Sequence, residues 1–190
     1  MKSGKIIVLS APSGTGKSTL IRYLMEKRPD LNLSFSISAT SRSPREGEKD
    51  GREYYFLCEE EFRSKVLKGE FVEWEEVYAG NLYGTLESEV ERLTGDGRNV
   101  IMDIDVKGGL NVKRRYGSRA LSIFILPPSL DVLRDRLTGR ATDTQADIER
   151  RLAKAEYEIS FAPEFDFTVI NDDLDRTAAE IASLIKDHEA

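Results

Sequence analysis

Short apolar runs alternate with amphipathic stretches along most of this chain. The first run, Lys5 to Ser10, is rich in β-branched residues and Leu, and it ends in a glycine-rich turn. A helical pattern follows from Ser18 to Arg28, so the chain is predicted to open with a strand, a loop and a helix. Later apolar runs that predict buried strands are Asn99 to Ile104, Ala120 to Leu126 and Phe165 to Ile170.

Amphipathic segments separate or follow these strands, and they predict helices near residues 107–116, 129–138, 146–161 and 174–187. Strands that alternate with helices indicate a parallel sheet with helices on both faces. The predicted fold class is therefore α/β, with the sheet flanked by helices.

The segment from about 34 to 85 breaks this alternation. It contains the short β-rich pieces 34–38, 53–57 and 70–78 around one amphipathic helix, which begins near Glu59. It is interpreted as an inserted lobe. The polar stretch 138–145 contains Gly139 between two helices, which is typical of a mobile surface lid. We therefore expect one domain over residues 1–190, with a core of about 1–33, 86–137 and 146–190.

Composition narrows the class of protein. Apolar residues are 39% and charged residues 33% of the chain, which excludes a membrane span and a disordered chain. The apolar run before Pro12 is too short for a secretory signal, so we expect a cytoplasmic protein. Cys58 is the only cysteine, which excludes an internal disulfide and a thiolate metal cage.

The formal net charge is −6, which argues against a general nucleic-acid binder, since affinity for phosphate backbones needs a surplus of Lys and Arg. An anionic ligand would then need a local basic cluster. Arg42 and Arg45 form one such cluster in the sequence, and a second comprises Arg134, Arg136, Arg140, Arg150 and Arg151. The alternative for both is a solvated charged face.

Residues Ala11 to Ser18 match a phosphate-binding P-loop, except that Ala11 stands where the pattern has Gly. Glycines at 14 and 16 let backbone N–H groups turn towards phosphate oxygens, and the following helix N-terminus adds positive charge. Lys17 is expected to reach the β and γ phosphates, and the Ser18 hydroxyl to bind Mg²⁺. The alternative is an ordinary glycine-rich turn.

A P-loop does not by itself distinguish kinases from GTPases and ATPases. The stretch Asp105 to Gly108 fits the DxxG pattern of GTPases, but no NKxD guanine motif follows it. The GTPase hypothesis is therefore weak.

Four stretches of the inserted lobe resemble guanylate kinases, and the likeness extends over almost the whole chain. They are Ser38-Ala-Thr-Ser-Arg42-Ser-Pro-Arg45-Glu-Gly, Gly51-Arg-Glu-Tyr54-Tyr-Phe, Phe71-Val-Glu73-Trp and Gly80-Asn-Leu-Tyr83-Gly-Thr85. The resemblance implies a P-loop kinase fold in which the lobe binds GMP and the lid closes over the phosphates. It also implies transfer of the γ-phosphoryl group of ATP to GMP, and to dGMP, with Mg²⁺, for guanine nucleotide synthesis and recycling.

The resemblance assigns residues one by one. It implies a GMP site in which the phosphate is held by Arg42, Arg45, Tyr54 and Tyr83. The guanine would be read by Ser38, Glu73, Thr85 and Asp105. It implies an ATP site of Ala11, Pro12, Ser13, Gly14, Thr15, Gly16, Lys17, Ser18, Thr19 and Asn171, with Asn171 near the adenine. The residues that it implies as catalytic are Lys17, Arg42, Arg136, Arg140 and Arg151. Of these, Arg136, Arg140 and Arg151 match the arginines of the family's lid region that grip phosphate. The chain departs from the family at Ala141, where Gly is common, and at Leu82, where Tyr is common.

The chemistry of guanine supports the role of Glu73. Guanine presents its N1–H and N2–H₂ donors side by side, and one carboxylate can accept both, whereas adenine presents an acceptor there. The hydroxyls of Ser38 and Thr85 can donate to guanine O6, which adenine lacks. The alternative for Glu73 is an exposed strand carboxylate.

Asp103 and Asp105 end a buried strand at the carboxyl edge of the predicted sheet, where ligands of open α/β folds bind. Asp103 is interpreted as the group that orients Mg²⁺ through water, and Asp105 as a guanine contact. Either could instead cap the next helix.

No histidine base is needed, because a phosphate monoester has a second pKa of about 6 and is mostly dianionic at neutral pH. His188, the only histidine, is expected to be a solvated residue. The expected partners are ATP and GMP, with no nucleic acid, membrane or obligatory protein partner. Two other hypotheses are a catalytically inactive scaffold that binds a protein and a P-loop kinase for another acceptor.

Overall fold

The computed structural model describes residues 3–77, 80–139 and 144–189. Its strands are β1 (Ile6–Ser10), β2 (Leu33–Phe35), β3 (Ala39–Thr40), β4 (Tyr55–Phe56), β5 (Phe71–Val77), β6 (Asn81–Leu86), β7 (Asn99–Asp103), β8 (Ala120–Leu126) and β9 (Phe167–Ile170). Its helices are α1 (Lys17–Lys27), α2 (Glu59–Leu67), α3 (Glu87–Gly95), α4 (Val106–Tyr116), α5 (Leu130–Thr138), α6 (Gln145–Ile159) and α7 (Leu174–Glu189). Short 3₁₀ turns are Pro29–Leu31, Gly117–Arg119 and Ala162–Glu164.

A five-stranded sheet has the strand order β2-β7-β1-β8-β9. Strands β8 and β9 pair in parallel, with Ile123 opposite Phe167. Every residue of β1 is buried, as expected for a strand that is covered on both faces by helices. The predicted α/β class, a parallel sheet flanked by helices, is confirmed.

The structure differs from the sequence-based elements in two places. Strand β2 is shorter than the predicted piece 34–38, and it belongs to the five-stranded sheet rather than to the sheet of the lobe. Strand β6 and helix α3 were not predicted as elements. Gly80 precedes β6 and Gly84 lies within it, and both glycines weaken its strand signal. Helix α3 has only nine residues, although its buried Val90 and Leu93 have helical spacing.

The chain divides into two compact units, and the first comprises the residues up to Ile6 together with Ser34–Ile101. It contains a four-stranded sheet with the order β4-β3-β6-β5. Phe62 of α2 stacks on Phe71 of β5 with ring centroids 4.3 Å apart. One buried cluster of this unit contains Ala39, Phe62, Phe71, Leu82 and Leu86.

The sheet of the first unit has one apolar and one polar face. In the antiparallel pair of β5 and β6, Glu73 lies opposite Thr85 and Glu75 lies opposite Tyr83. Alternate residues of a strand point to opposite faces, so the buried Leu82 of β6 lies on the other face from Tyr83 and Thr85. Packing against α2 therefore leaves a polar face that carries the residues predicted to bind GMP.

The second unit comprises Ile7–Leu33 and the chain from Met102 onward. It contains β8, β9, α1 and the helices from α4 to α7. Helices α5 and α6 pack through a buried cluster of Leu133, Leu137, Ile148, Leu152 and Ala155. Among the described residues, no helix is both long and apolar enough to cross a membrane.

We predict that Gly84→Ala destabilises the protein by about 1–3 kcal/mol, the usual cost of overpacking. A Cβ at Gly84 would lie 2.7 Å from the Glu73 carbonyl oxygen and 2.8 Å from the Trp74 Cβ, so the β5–β6 backbone would have to shift. Gly95→Ala is the matched control, because a Cβ there meets nothing within 4 Å. Urea unfolding of both variants measures the difference, and equal stability would contradict the prediction.

Candidate functional site

The loop between β1 and α1 has the backbone that its sequence predicts. Gly14 and Gly16 adopt φ angles of 93° and 97°, in the left-handed region that favours glycine. A Cβ at Gly16 would also lie 2.8 Å from the Asn171 Nδ2 atom. Helix α1 begins directly after this loop, so its positive N-terminal end faces the loop.

The first two residues of α1 meet the carboxylate that ends β7. The Lys17 ammonium lies 2.5 Å from Asp103 Oδ1 and donates to the Ile104 carbonyl oxygen at 3.2 Å. The Ser18 hydroxyl donates to Asp103 Oδ2 at 3.4 Å. Three residues predicted separately, two in the P-loop and one in the DID stretch, therefore form one cluster.

The Thr15 carbonyl oxygen of the phosphate loop accepts hydrogen bonds from two of the predicted residues. It accepts from Asn171 Nδ2 at 2.7 Å and from Arg136 Nη1 at 3.1 Å. Arg136 Nη2 donates in addition to the Asn171 carbonyl oxygen at 3.1 Å. Arg136, predicted to grip phosphate, here holds the backbone of the phosphate loop.

Arg151 of α6 also reaches the loop, since its Nη1 donates to the Ser13 hydroxyl at 3.3 Å. Arg140 and Ala141 lie outside the described residues, as do the other residues of 140–143 within the predicted lid. Of the three arginines predicted around the lid, two are therefore placed at the phosphate loop.

Asp105 caps a helix in this structure. Its Oδ1 accepts the Gly108 N–H at 2.7 Å, which makes it the N-cap of α4. Its contact with guanine stays a prediction. Ser10, which the sequence analysis did not single out, shares the one proton of its buried hydroxyl between the carbonyl oxygens of Ile104 and Asp105, at 3.0 and 3.2 Å.

In the first unit, three of the four residues predicted to bind the GMP phosphate lie together. The Arg42 guanidinium lies over the Tyr54 ring at 5.2 Å from its centroid, and the Tyr54 and Tyr83 rings meet edge to face at 5.9 Å. We call Arg42, Tyr54 and Tyr83 the phosphate cluster. The fourth residue, Arg45, follows Arg42 in the same loop, and its side chain is exposed.

Glu48 is a neighbour of this cluster that the sequence analysis missed. It accepts from Arg42 Nη1 and Nη2 at 2.7 and 2.9 Å, and from the Arg45 N–H at 2.7 Å. Hydrogen bonds from the Arg42 side chain and then the Arg45 backbone lower the pKa of Glu48 to about 2. The available signal was a glutamate a few residues after two arginines in a short polar loop.

The predicted guanine-reading residues Glu73 and Thr85 are joined by a hydrogen bond. The Thr85 hydroxyl, nearly fully buried, donates to Glu73 Oε1 at 2.7 Å. A hydroxyl has only one proton, so in this arrangement Thr85 orients Glu73 and does not donate elsewhere. Ser38, which accepts the Tyr55 N–H through its carbonyl oxygen, is the other predicted donor to guanine O6.

A buried carboxylate lies in α6, the helix that also carries Arg151. Glu158 is 7% exposed, and burial raises its pKa, an effect that Lys154 at 3.6 Å and the charge of Lys17 oppose. The Asp105 charge raises the pKa further. The charges of Lys17 and Asp105, two residues of the phosphate-loop region, therefore act on the pKa of Glu158, although Glu158 is not part of the predicted site.

The fold and the loop together define a class of protein. P-loop proteins hold nucleotide phosphates with a Lys and a Ser or Thr at the start of the helix that follows a glycine-rich turn. In this chain, that turn lies between β1 of an α/β sheet and α1, with a carboxylate beside the Lys and Ser. The protein therefore has the fold and phosphate loop of a P-loop nucleotide-binding protein.

Comparison with known proteins identifies the family within this class. A family model described as guanylate kinase matches residues 3–188. Guanylate kinases of Bacteroides fragilis and Porphyromonas gingivalis are 56% and 55% identical to this chain, covering 96% and 95% of it and 89% and 96% of themselves. The crystal structure of guanylate kinase from Anaplasma phagocytophilum matches with a TM-score of 0.71 at 33% identity, covering 100% of this chain and 88% of that one. The chain belongs to the guanylate kinase family, enzymes that phosphorylate GMP with ATP to give GDP.

We predict that Glu158→Gln changes stability in a pH-dependent way. Because the folded pKa is raised above its ordinary value of 4.5, the wild type has its full stability from this group below that value and loses it as pH rises. The variant has no such loss, so it gains stability relative to the wild type between pH 4.5 and neutrality. Chemical unfolding across this range measures the gain. The exposed Glu156→Gln on the same helix should show none, and a pH-independent difference for Glu158→Gln would contradict the prediction.

Proposed function

We propose that this chain performs the reaction of its family with the phosphate loop as the ATP site and the polar face of the β5–β6 pair as the GMP site. The observation that carries the proposal is the composition of that face. It holds the carboxylate of Glu73, which accepts a hydrogen bond from Thr85 and lies on the same sheet face as Tyr83 of the phosphate cluster. Such a face suits a ligand with a guanine at one end and a phosphate at the other.

Guanine recognition depends on Glu73. Its carboxylate would accept N1–H and N2–H₂ of guanine, and the bond from Thr85 holds it in one orientation without using both oxygens. Adenine would place an acceptor against the carboxylate. A charged group left without a hydrogen-bond partner in this way costs about 1–3 kcal/mol or more. We assign the O6 contact to Ser38 first, because the Thr85 proton is directed at Glu73. Asp105 is kept as a proposed guanine contact.

The phosphate of GMP would bind at the phosphate cluster and at Arg45. Arg42 and Arg45 supply positive charge, and the Tyr54 and Tyr83 hydroxyls supply neutral donors. A phosphate monoester is mostly dianionic at neutral pH, so it attacks the γ-phosphorus of ATP without a side-chain base.

Phosphoryl transfer needs positioning and charge neutralisation more than covalent chemistry. Lys17 and the loop N–H groups would bind the β and γ phosphates of ATP, with Arg151 beside the loop at Ser13. Arg136 and Asn171 would keep the loop in shape through the Thr15 carbonyl oxygen, with Asn171 near the adenine. Arg140 is retained as a proposed catalytic residue on the strength of the resemblance alone.

Ser18 at the start of α1 and Asp103 at the end of β7 fit a Mg²⁺ site. The Ser18 hydroxyl and the Asp103 carboxylate lie within 3.4 Å of each other and are oxygen donors of the kind that Mg²⁺ prefers. Among the described residues, no cluster of three or more His, Cys, Asp or Glu could hold a metal, which is consistent with a site completed by phosphate oxygens and water. Ser18 would hold the ion directly and Asp103 through water. Bound Mg²⁺ would offset charge on the phosphates.

Two alternatives to this assignment are separated by one assay. A binding scaffold would release no ADP with any acceptor, and a kinase for another acceptor would release it with AMP, UMP or CMP. We expect ADP release with GMP and also with dGMP, since no assigned residue distinguishes the two. The cytoplasmic location and the lack of an obligatory protein partner stay predictions.

We predict that Lys17→Ala folds but turns over at least a hundredfold more slowly, because a fixed positive charge on the transferring phosphoryl group is lost. The exposed Lys27→Ala, at the other end of α1, is the matched control and should keep wild-type turnover. A coupled ADP assay with saturating GMP measures both. Near wild-type turnover in folded Lys17→Ala would remove the P-loop from the mechanism.

We predict that Glu73→Gln weakens GMP binding by about 1–3 kcal/mol, because its amide offers one acceptor oxygen where the carboxylate offers two. The amide N–H can also face adenine N1, so AMP should gain relative to GMP. Specificity constants for both acceptors, measured in the wild type and the variant, give the ratio. Glu75→Gln, on the same strand face, is the control. An unchanged ratio for Glu73→Gln would mean that Glu73 does not read the base.

A further inference from the structure

One carboxylate contacts both arginines of the proposed acceptor loop. Glu48 pairs with the Arg42 guanidinium through both oxygens, and one of these oxygens also accepts the Arg45 backbone N–H. The Glu48 N–H in turn donates to the Arg45 carbonyl oxygen at 3.1 Å, which closes a turn. Glu48 has so far been given no part in the reaction.

The pairing uses one particular edge of Arg42. A guanidinium can receive two oxygens at its end, through Nη1 and Nη2, or at its side, through Nε and Nη2. Glu48 takes the end, and the second Nη1 hydrogen goes to the Ser43 carbonyl oxygen at 2.8 Å. Within the described part of the chain, Arg42 Nε has no hydrogen-bond partner although it is buried. Arg42 also interacts with the side chain of Tyr83, itself a member of the phosphate cluster, so Nε is the donor of the side edge that remains unused.

The Arg42 guanidinium also lies over two aromatic rings. Its Cζ atom is 5.2 Å from the centroid of the Tyr54 ring and 5.6 Å from the centroid of the Phe56 ring. A free arginine side chain samples many rotamers, and a ligand that binds it must restrict them. The glutamate and the rings together restrict Arg42 before any ligand binds, which lowers the cost of binding.

We propose that Glu48 is a positioning residue for the acceptor phosphate: it holds Arg42 by its end edge and Arg45 by its backbone, so that the side edge of Arg42 is presented to the phosphate group of a nucleoside monophosphate. The inference rests on the proposed function of this face. It adds a residue that acts through Arg42 and does not itself touch the substrate.

The opposite role for Glu48 is competition, in which its carboxylate occupies donors that the phosphate needs. Two features favour positioning. The carboxylate is tied to the turn through the Arg45 N–H, so it is not free to leave, and it leaves the Nε edge of Arg42 unused. The low pKa of Glu48, about 2, keeps it ionised at any assay pH, so the effect of removing its charge should be the same from mildly acidic to mildly basic conditions.

The test is steady-state kinetics of Glu48→Gln, with Glu46→Gln as the matched control from the same exposed loop. We expect the KM for GMP to rise about tenfold, equivalent to about 1.4 kcal/mol, while the KM for ATP stays within about twofold. Glu46→Gln should behave as the wild type. An unchanged KM for GMP would overturn the proposal, and a lower one would show competition instead.

A second measurement separates positioning from a general loss of loop structure. In an Arg42→Ala background, Glu48→Gln should add little further rise in the KM for GMP, because the group through which it acts is gone. An equal additional rise in that background would overturn the proposal. If Glu48→Gln yields no folded protein, Glu48→Asp replaces it. The Asp side chain is one methylene shorter, so its carboxylate does not reach both nitrogens of the Arg42 guanidinium. The same rise is expected, and wild-type kinetics would overturn the inference. A wild type that releases no ADP with GMP would refute the proposed function itself.

Discussion

The contact between the Lys17 ammonium and the Asp103 carboxylate, 2.5 Å long, is the interaction on which the phosphate-loop arrangement depends. It joins the start of α1 to the end of β7, and the neighbouring Ser18 and Ile104 contacts reinforce the same junction. A lysine beside phosphates needs a defined position, because a long side chain otherwise loses entropy when it binds. The carboxylate supplies that position.

The same principle recurs at two other cations of the proposed site. Arg42 is held by Glu48, and Arg136 is held by the Thr15 and Asn171 carbonyl oxygens. In each case an acceptor of the protein takes some of the donors and sets the direction of the rest. Preorganised charge of this kind stabilises a transition state without reorganisation during the reaction. Glu73, oriented by Thr85, is the corresponding preorganised acceptor on the guanine side.

Much of this could be predicted from the sequence, because the signals are local. The alternation of buried strands and helices, the glycines of the phosphate loop and the stretches that resemble guanylate kinases are all contiguous patterns. The structure gives Gly14 and Gly16 the positive φ angles that their loop requires, and it places Lys17, Ser18 and Asp103 in one cluster. Helix α3 was missed because its periodic signal is short, and strand β6 was missed because Gly84 interrupts its pattern.

By itself, then, the sequence determined the class of fold, the family and the chemical types available at the site, since these depend on residue order and local backbone preference. Only the tertiary structure decided the pairings. Glu48 binds the Arg42 guanidinium, the Thr85 hydroxyl donates a hydrogen bond to Glu73, and Asp105 caps α4. The physical reason is that a side chain with several donors or acceptors has many possible partners along the chain. Which partner it meets is settled by distances of about 3 Å that arise when strands and loops pack.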